Sequence, residues 1–234
     1  MKKILFLSFL LNIIFGLGLC YAIHKLGGIK YILFKMQNRG TTGVYEHRKS
    51  VFEILPQQKN PIVFLGDSIT EACEWAELFG DSTIQNRGIA GDMTDGVLRR
   101  LPVILDSQPR QIFLMIGVND LIMRSVDEIV NNYETILQQI QQQSPATKVY
   151  VQSVLPVNND LRQTKIKNAD ILKINEGIQA LANQYSYNYI NLHQKMSDSK
   201  DNLDAQYSSD GIHLNGKAYL VWKDVTNNFV TSNE

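Results

Sequence analysis

Four short stretches of the chain carry residue types that could work on a carbonyl. In VFLGDSITEACEW, residues 63–75, an apolar run ends at Leu65, and Gly66, Asp67 and Ser68 turn into what reads as the start of a helix. Such a turn lifts a hydroxyl onto a helix N-terminus, where unpaired backbone N–H groups favour negative charge. Taken alone, Ser68 reads better as a helix cap, because Ser and Asp are the commonest caps. A serine nucleophile also needs a base, and the chain has four histidines. His24 abuts an apolar N-terminal run, His47 precedes the core and His193 follows an apolar strand. His213 lies in SSDGIHLNGKAY, three residues after Asp210. One turn can bring that carboxylate against the imidazole, fixing its tautomer and stabilising the imidazolium formed when the ring takes a serine proton.

The remaining two stretches supply donors. LMIGVNDL, residues 114–121, ends an apolar run with Asn119 and Asp120; a side-chain amide there can donate to charge developing on a carbonyl oxygen. NRGIAGDMTDGVLRRL, residues 86–101, places Gly88 and Gly91 ahead of a helix, where glycine lets the backbone come close to a ligand. Each stretch has an ordinary explanation of its own: a surface turn, an Asx turn, a flexible loop. Together they supply a nucleophile, a base, an orienting acid and oxyanion donors.

The elements that must position these residues follow from periodicity. Apolar runs at 62–65, 112–116 and 149–155, with weaker ones at 83–84 and 189–192, alternate with helical patterns near 70–79, 94–105, 126–143, 165–185 and 215–231. A further short helix is expected between Tyr45 and Leu55, stopped by Pro56. Alternation of this kind predicts a parallel sheet with helices on both faces. Ligands of such sheets bind beyond the carboxyl ends of the strands, which makes the loops after Leu65, Ile84 and Ile116 the ones to read.

Through GDSIT, NRGIAGDMTDGVLRRL, IGVND and SSDGIHLNGKAY, in that order, residues 45 to 230 resemble the GDSL or SGNH hydrolase family. The second block is similar to the bacterial relatives of the platelet-activating factor acetylhydrolase subunits. The resemblance implies a flavodoxin-like, three-layer α/β/α sandwich with a five-stranded parallel sheet. It implies that Ser68 is the nucleophile and His213 the base oriented by Asp210. Gly91 and Asn119 would join the Ser68 backbone N–H in the oxyanion hole, Gly91 rather than Gly88 because GxxGD matches the family at its second glycine. It implies no metal and no organic cofactor. Ile69 stands where the family often has leucine, an apolar exchange that touches no catalytic role. The GxSxG elbow of the larger α/β-hydrolase class is missing.

Length and charge limit the rest. The chain has 234 residues, enough for one well-buried domain with an appendage. Its 23 basic and 23 acidic residues balance, which gives no general attraction to nucleic acid. Residues Ile4 to Ile23 form a mostly apolar run of about twenty residues, roughly 30 Å as a helix. Residues 1–23 are therefore expected to be a transmembrane anchor or signal segment, 24–44 a juxtamembrane linker and 45–234 the hydrolase domain. An anchor is favoured over a cleaved signal because the run is long and Cys20 and Ala22 make a poor cleavage site. Basic residues flank both ends, so charge leaves the orientation open; export of the catalytic domain is the expectation. Cys20 and Cys73 lie too differently to pair, and Cys73 reads as a packing residue. The reaction expected is ester hydrolysis through an acyl-serine, on a small-molecule or glycan ester with a short acyl group, since no long apolar insertion follows a catalytic block. A lysophospholipase or thioesterase would use the same machinery, and a non-catalytic glycan-binding module is the more distant alternative. Trp75, Ile122, Met123 and Leu155 are candidate pocket residues.

Overall fold

The computed structural model describes residues 2–25, 43–56 and 58–231. It divides into two compact units, Met1–Arg39 and Gly40–Glu234. Among its described residues the first holds the helix α1 (Lys2–Lys25). Among its described residues Phe9, Leu11, Phe15, Leu17 and Tyr21 are exposed. The transmembrane span expected here is not shown: among the described residues no helix is long and apolar enough to cross a membrane. Most of the expected linker, residues 26–42, lies outside the described residues.

The second unit begins with α2 (Gly43–Ile54) and continues β1 (Ile62–Gly66), α3 (Ser68–Glu71), α4 (Trp75–Phe79), β2 (Ile84–Gly88), α5 (Thr94–Leu105) and β3 (Gln111–Met115). A 3-10 turn (Asp120–Ile122) leads to α6 (Val126–Gln143), β4 (Lys148–Gln152), α7 (Asn168–Gln184), β5 (Asn188–Ile190), α8 (Leu192–Met196) and α9 (Gly216–Thr231). The five strands form one sheet in the order β2-β1-β3-β4-β5, every pair parallel. The strand order reverses at β1, so the loops leaving β1 and β3 diverge over opposite faces and open a crevice at their carboxyl ends.

The interior strands are buried on both sides. All five residues of β1 and of β3 are buried, which is why IVFLG and QIFLM read as continuous apolar runs. The edge strands β2 and β5 are mixed in burial and gave the weaker sequence signal. On one face Phe64, Phe113 and Tyr150 occupy matching positions of β1, β3 and β4. Their rings stack at 4.7 and 4.5 Å. Trp75 of α4 lies 4.0 Å from Phe64, and Trp222 of α9 closes over Trp75 edge-on. Helices α5, α6 and α7 pack side by side. Ser125 and Glu128 form a reciprocal capping box at the start of α6, which satisfies two of its free N–H groups.

Three sequence expectations are corrected. The helix expected over 70–79 is broken into α3 and α4 at Ala72–Glu74, where the side-chain amide of Asn86 takes the carbonyls of Thr70, Glu71 and Cys73. The strand expected to run to Leu155 ends at Gln152; beyond it the backbone of Val154 pairs with the side chain of Asn175 at 2.7 and 2.9 Å instead of with a strand. Trp75 and Leu155, candidates for a pocket wall, are 1% and 2% exposed and belong to the core.

Candidate active site

Asp67, not Ser68, caps α3. Its buried carboxylate accepts the Ile69 N–H at 2.9 Å, which leaves the Ser68 side chain free of the helix end. Gly66 is required beneath it, since a Cβ would fall 2.3 Å from the Met115 carbonyl and 2.2 Å from Thr70 Oγ1. Ser68 therefore emerges at the carboxyl end of β1 without a helix-capping duty.

The Ser68 hydroxyl lies 3.1 Å from His213 Nε2, and His213 Nδ1 lies 2.7 Å from Asp210 Oδ2. With the Nδ1 proton donated to Asp210, Nε2 is left as an acceptor for the serine proton. Asp210 Oδ1 accepts the backbone N–H of Ile212 at 3.0 Å and of His213 at 2.8 Å. Burial alone would raise the Asp210 carboxyl, but these bonds from the ring and the backbone outweigh it and hold the group well below the usual carboxylate range. An ionised carboxylate is what an imidazole that must become imidazolium needs.

The loop carrying Asp210 and His213 is fixed from two sides. Gly211 sits at φ +80°, and a Cβ there would meet the Asn158 carbonyl at 2.4 Å. Asn158 N donates to the Gly211 carbonyl at 2.8 Å. On the other side the Tyr219 hydroxyl of α9 donates to the Ile69 carbonyl at 2.7 Å, which ties the helix after His213 to the helix that carries Ser68. Arg162 reaches within 3.8 Å of Asp210 Oδ2 from an exposed position. None of Asn158, Arg162 and Tyr219 stands out in the sequence; their roles depend on loops that meet only in three dimensions.

Gly91 and Asn119 lie on the loops after β2 and β3, and one hydrogen bond joins those loops. Asn119 Nδ2 donates to the Asp92 carbonyl at 2.9 Å, leaving its second amide hydrogen free. Gly91 is exposed at φ +74°, with open space where a Cβ would stand. Among the described residues the backbone N–H groups of Ser68 and Gly91 donate to nothing. Gly88 has a different duty from the ligand approach expected of it: a Cβ would lie 2.2 Å from Glu71 N, so this glycine lets α3 pack on β2.

A buried polar frame holds these loops. Arg100 of α5, itself buried, pairs with Asp92 at 2.9 Å and donates to the carbonyls of Arg87 and Gly66. Glu71 accepts the Ala90 N–H at 2.6 Å and meets Arg48 of α2 at 3.2 Å. Asp120 accepts from the backbone and hydroxyl of Thr94 and pairs with Arg124. Burial pushes Asp67 up to about 7; the Ile69 N–H opposes this, while neighbouring Asp92 and Asp120 add to it. Burial likewise pushes Asp120 up to about 6, against its Thr94 bonds. Cys73 is buried, and its thiol is pushed up to about 12 by that burial, so it packs rather than reacts.

A parallel five-stranded α/β sandwich with a serine, histidine and aspartate in line at its switch point defines the class of serine hydrolases that attack carbonyls from a strand-to-helix turn. Within that class, the GDSL-like Lipase/Acylhydrolase family model matches residues 64–221, and the chain belongs to this family. It is 30% identical over 138 residues to the platelet-activating factor acetylhydrolase IB subunit alpha2 of Homo sapiens, which covers 55% of this chain and 59% of that protein. The match thus spans less than two thirds of the length of the mammalian relatives. A solved structure from Streptococcus pneumonia, a platelet activating factor candidate, is 29% identical, with a TM-score of 0.72 over 85% of this chain and 96% of that one. A GDSL-like lipase from Bacteroides thetaiotaomicron, 23% identical, shares the fold with a TM-score of 0.69 over 80% of this chain and 96% of that one.

Proposed function

We propose that the protein is a serine esterase that cleaves carboxylic esters with short, acetyl-type acyl groups through an acyl-Ser68 intermediate. The observation that carries this is the Ser68–His213–Asp210 line at 3.1 and 2.7 Å, set beside two undonated backbone N–H groups. In the first step His213 Nε2 takes the Ser68 proton as Oγ bonds to the ester carbonyl carbon. The oxyanion accepts from the N–H groups of Ser68 and Gly91 and the free Asn119 amide hydrogen. The C–O bond to the leaving alcohol then breaks, with the imidazolium returning its proton to that oxygen. Water, giving a proton to the same ring, bonds to the acyl carbon; the acyl–Oγ bond then breaks, Ser68 Oγ takes that proton back and the carboxylic acid leaves. No step here calls for a metal or an organic cofactor.

The test is acylation of the nucleophile. A fluorophosphonate should label the wild-type chain and not Ser68→Ala, and Ser68→Ala should lose several orders of magnitude of turnover of a short aryl ester while staying folded. Equal labelling or comparable turnover in that variant defeats the assignment. A series of aryl esters of increasing acyl length is expected to show kcat/KM falling beyond butyryl. Rising activity through decanoyl would instead indicate the lysophospholipase or thioesterase alternative. The same reading places the catalytic unit outside the cytoplasm, held through α1; the apolar side chains that α1 exposes support it. Protease shaving of intact cells should remove the domain, and its full protection would refute this part.

A further inference from the structure

A narrow cleft lies on the far side of β2 from the Trp75 stack, between the end of α2, the edge strand and α5. Its cavity volume is about 40 Å³, and it opens to solvent at its mouth. Its apolar walls are Phe52, Leu55, Val103 and Ile104, and Arg87 and Arg100 lie at its floor. Val103 and Leu55 are 43% and 42% exposed, a loosely covered apolar surface on an otherwise well-packed body.

The two arginines differ in what they hold. Arg100 is neutralised by Asp92. Arg87 has no acidic partner among the described residues: it donates to the neighbouring Asn86 carbonyl at 3.1 Å and stacks on Phe52, its guanidinium 4.8 Å from the ring centre. Arg48 lies over the same ring at 5.0 Å and is engaged by Glu71. At the rim Lys49 and Glu53 pair with each other at 3.0 Å. Burial, with Arg100 and Arg48 close by, holds Arg87 down at about 10. An arginine left half-buried among other arginines is an incomplete arrangement, since buried charges in proteins are ordinarily paired. One planar fork of donors above an apolar slot matches a single carboxylate on an alkyl chain.

We propose that this cleft binds a medium-chain aliphatic monocarboxylate, its head on Arg87 and its tail along Phe52, Leu55 and Val103. One unpaired guanidinium asks for one negative charge, and the apolar walls ask for a tail rather than a free inorganic anion. The site is separate from Ser68 and does not depend on the esterase reading.

Sodium octanoate is the probe, titrated calorimetrically into the full-length Ser68→Ala chain, so that binding is read without turnover. Saturable one-to-one binding is expected, with octan-1-ol and sodium acetate each binding at least tenfold more weakly. Arg87→Gln should weaken octanoate at least tenfold. Val103→Trp, which fills the slot from an exposed wall, should do the same while leaving the melting temperature within a few degrees. Glu53→Gln, which removes the carboxylate at the rim, should tighten it. Octanoate binding that survives both Arg87→Gln and Val103→Trp, equal binding of octan-1-ol, or no saturable binding at millimolar octanoate would each overturn the proposal. Binding of inorganic phosphate as tight as that of octanoate would also overturn it, by showing a plain anion site.

Discussion

Asp67→Asn isolates the effect of putting a carboxyl group beneath Ser68. The substitution keeps an oxygen for the Ile69 N–H and removes the charge, and Asn and Asp cap helices about equally well. In the native protein burial, joined by Asp92 and Asp120, pushes Asp67 up to about 7, whereas in the unfolded chain an aspartate titrates near 3.9. Between these values the native state keeps a proton that the unfolded chain has released. Stability associated with this group is therefore fully present below about pH 4 and is lost as pH rises to 7. A gap of about three pH units at ~1.4 kcal/mol each amounts to about 4 kcal/mol. Asp67→Asn should match the wild type at pH 3.5 and exceed it by about 4 kcal/mol at pH 8, the difference opening most steeply between pH 4.5 and 6.5. Urea unfolding of both chains at half-unit pH intervals measures this directly. A difference that stays flat with pH, or that favours the wild type at pH 8, would refute the reasoning. It would mean that the helix N-terminus and His213 stabilise the Asp67 anion more than burial opposes it. Asp120→Asn provides the companion series, because neighbouring carboxylates share their protons as a set.

Further perturbations test the frame around the site. Arg100→Met leaves Asp92 buried and unpaired and should lower stability by about 3–5 kcal/mol, read by denaturant unfolding; a loss under 1 kcal/mol would show that the pair is dispensable. Glu71→Ala strips the Ala90 N–H of its acceptor and should lower kcat on a short aryl ester about tenfold with KM nearly unchanged. Glu71→Gln should recover most of that loss, and an equal loss in both variants would contradict a positioning role for the bond. Gly88→Ala forces a methyl into the backbone of Glu71 and should lower the melting temperature by roughly 5 °C or more, as overpacking does; an unchanged melting temperature would mean α3 can move away freely.

The sheet was legible because its central strands are buried on both faces. Runs such as IVFLG and QIFLM need no partner information to be read. The edge strands were faint for the same reason inverted, since β2 carries Gln85, Asn86 and Arg87, polar residues whose work is done against α3, α5 and the cleft. Of the candidate site, the residues bearing functional groups could be named because four blocks, each ordinary by itself, together supply a hydroxyl, an imidazole, a carboxylate and amide donors in one order along the chain. Their support could not. Asn158 meets Gly211, Tyr219 meets Ile69 and Glu71 meets Ala90 across loops far apart in the chain, and no local pattern encodes such meetings. The break between α3 and α4 was hidden likewise, since Asn86 makes it from the neighbouring strand.

Ser68 shows why local reading stopped short of the answer. Asp67 and Ser68 are adjacent and both of types that can cap a helix, and a cap bonded to the backbone would have its oxygen engaged. Asp67 takes the duty at 2.9 Å, at the expense of being a buried carboxyl among Asp92 and Asp120. That choice leaves the serine hydroxyl to His213 and leaves the Ser68 N–H undonated at the same helix end. The raised Asp67 carboxyl and the free Ser68 hydroxyl are thus two consequences of one arrangement, and Asp67→Asn separates them: the capping geometry persists while the proton that burial requires is gone. If the arrangement serves catalysis through geometry alone, Asp67→Asn should keep kcat/KM within about threefold of the wild type as it gains stability. A loss of a hundredfold in a folded, more stable protein would instead assign the Asp67 charge state a direct part in tuning His213.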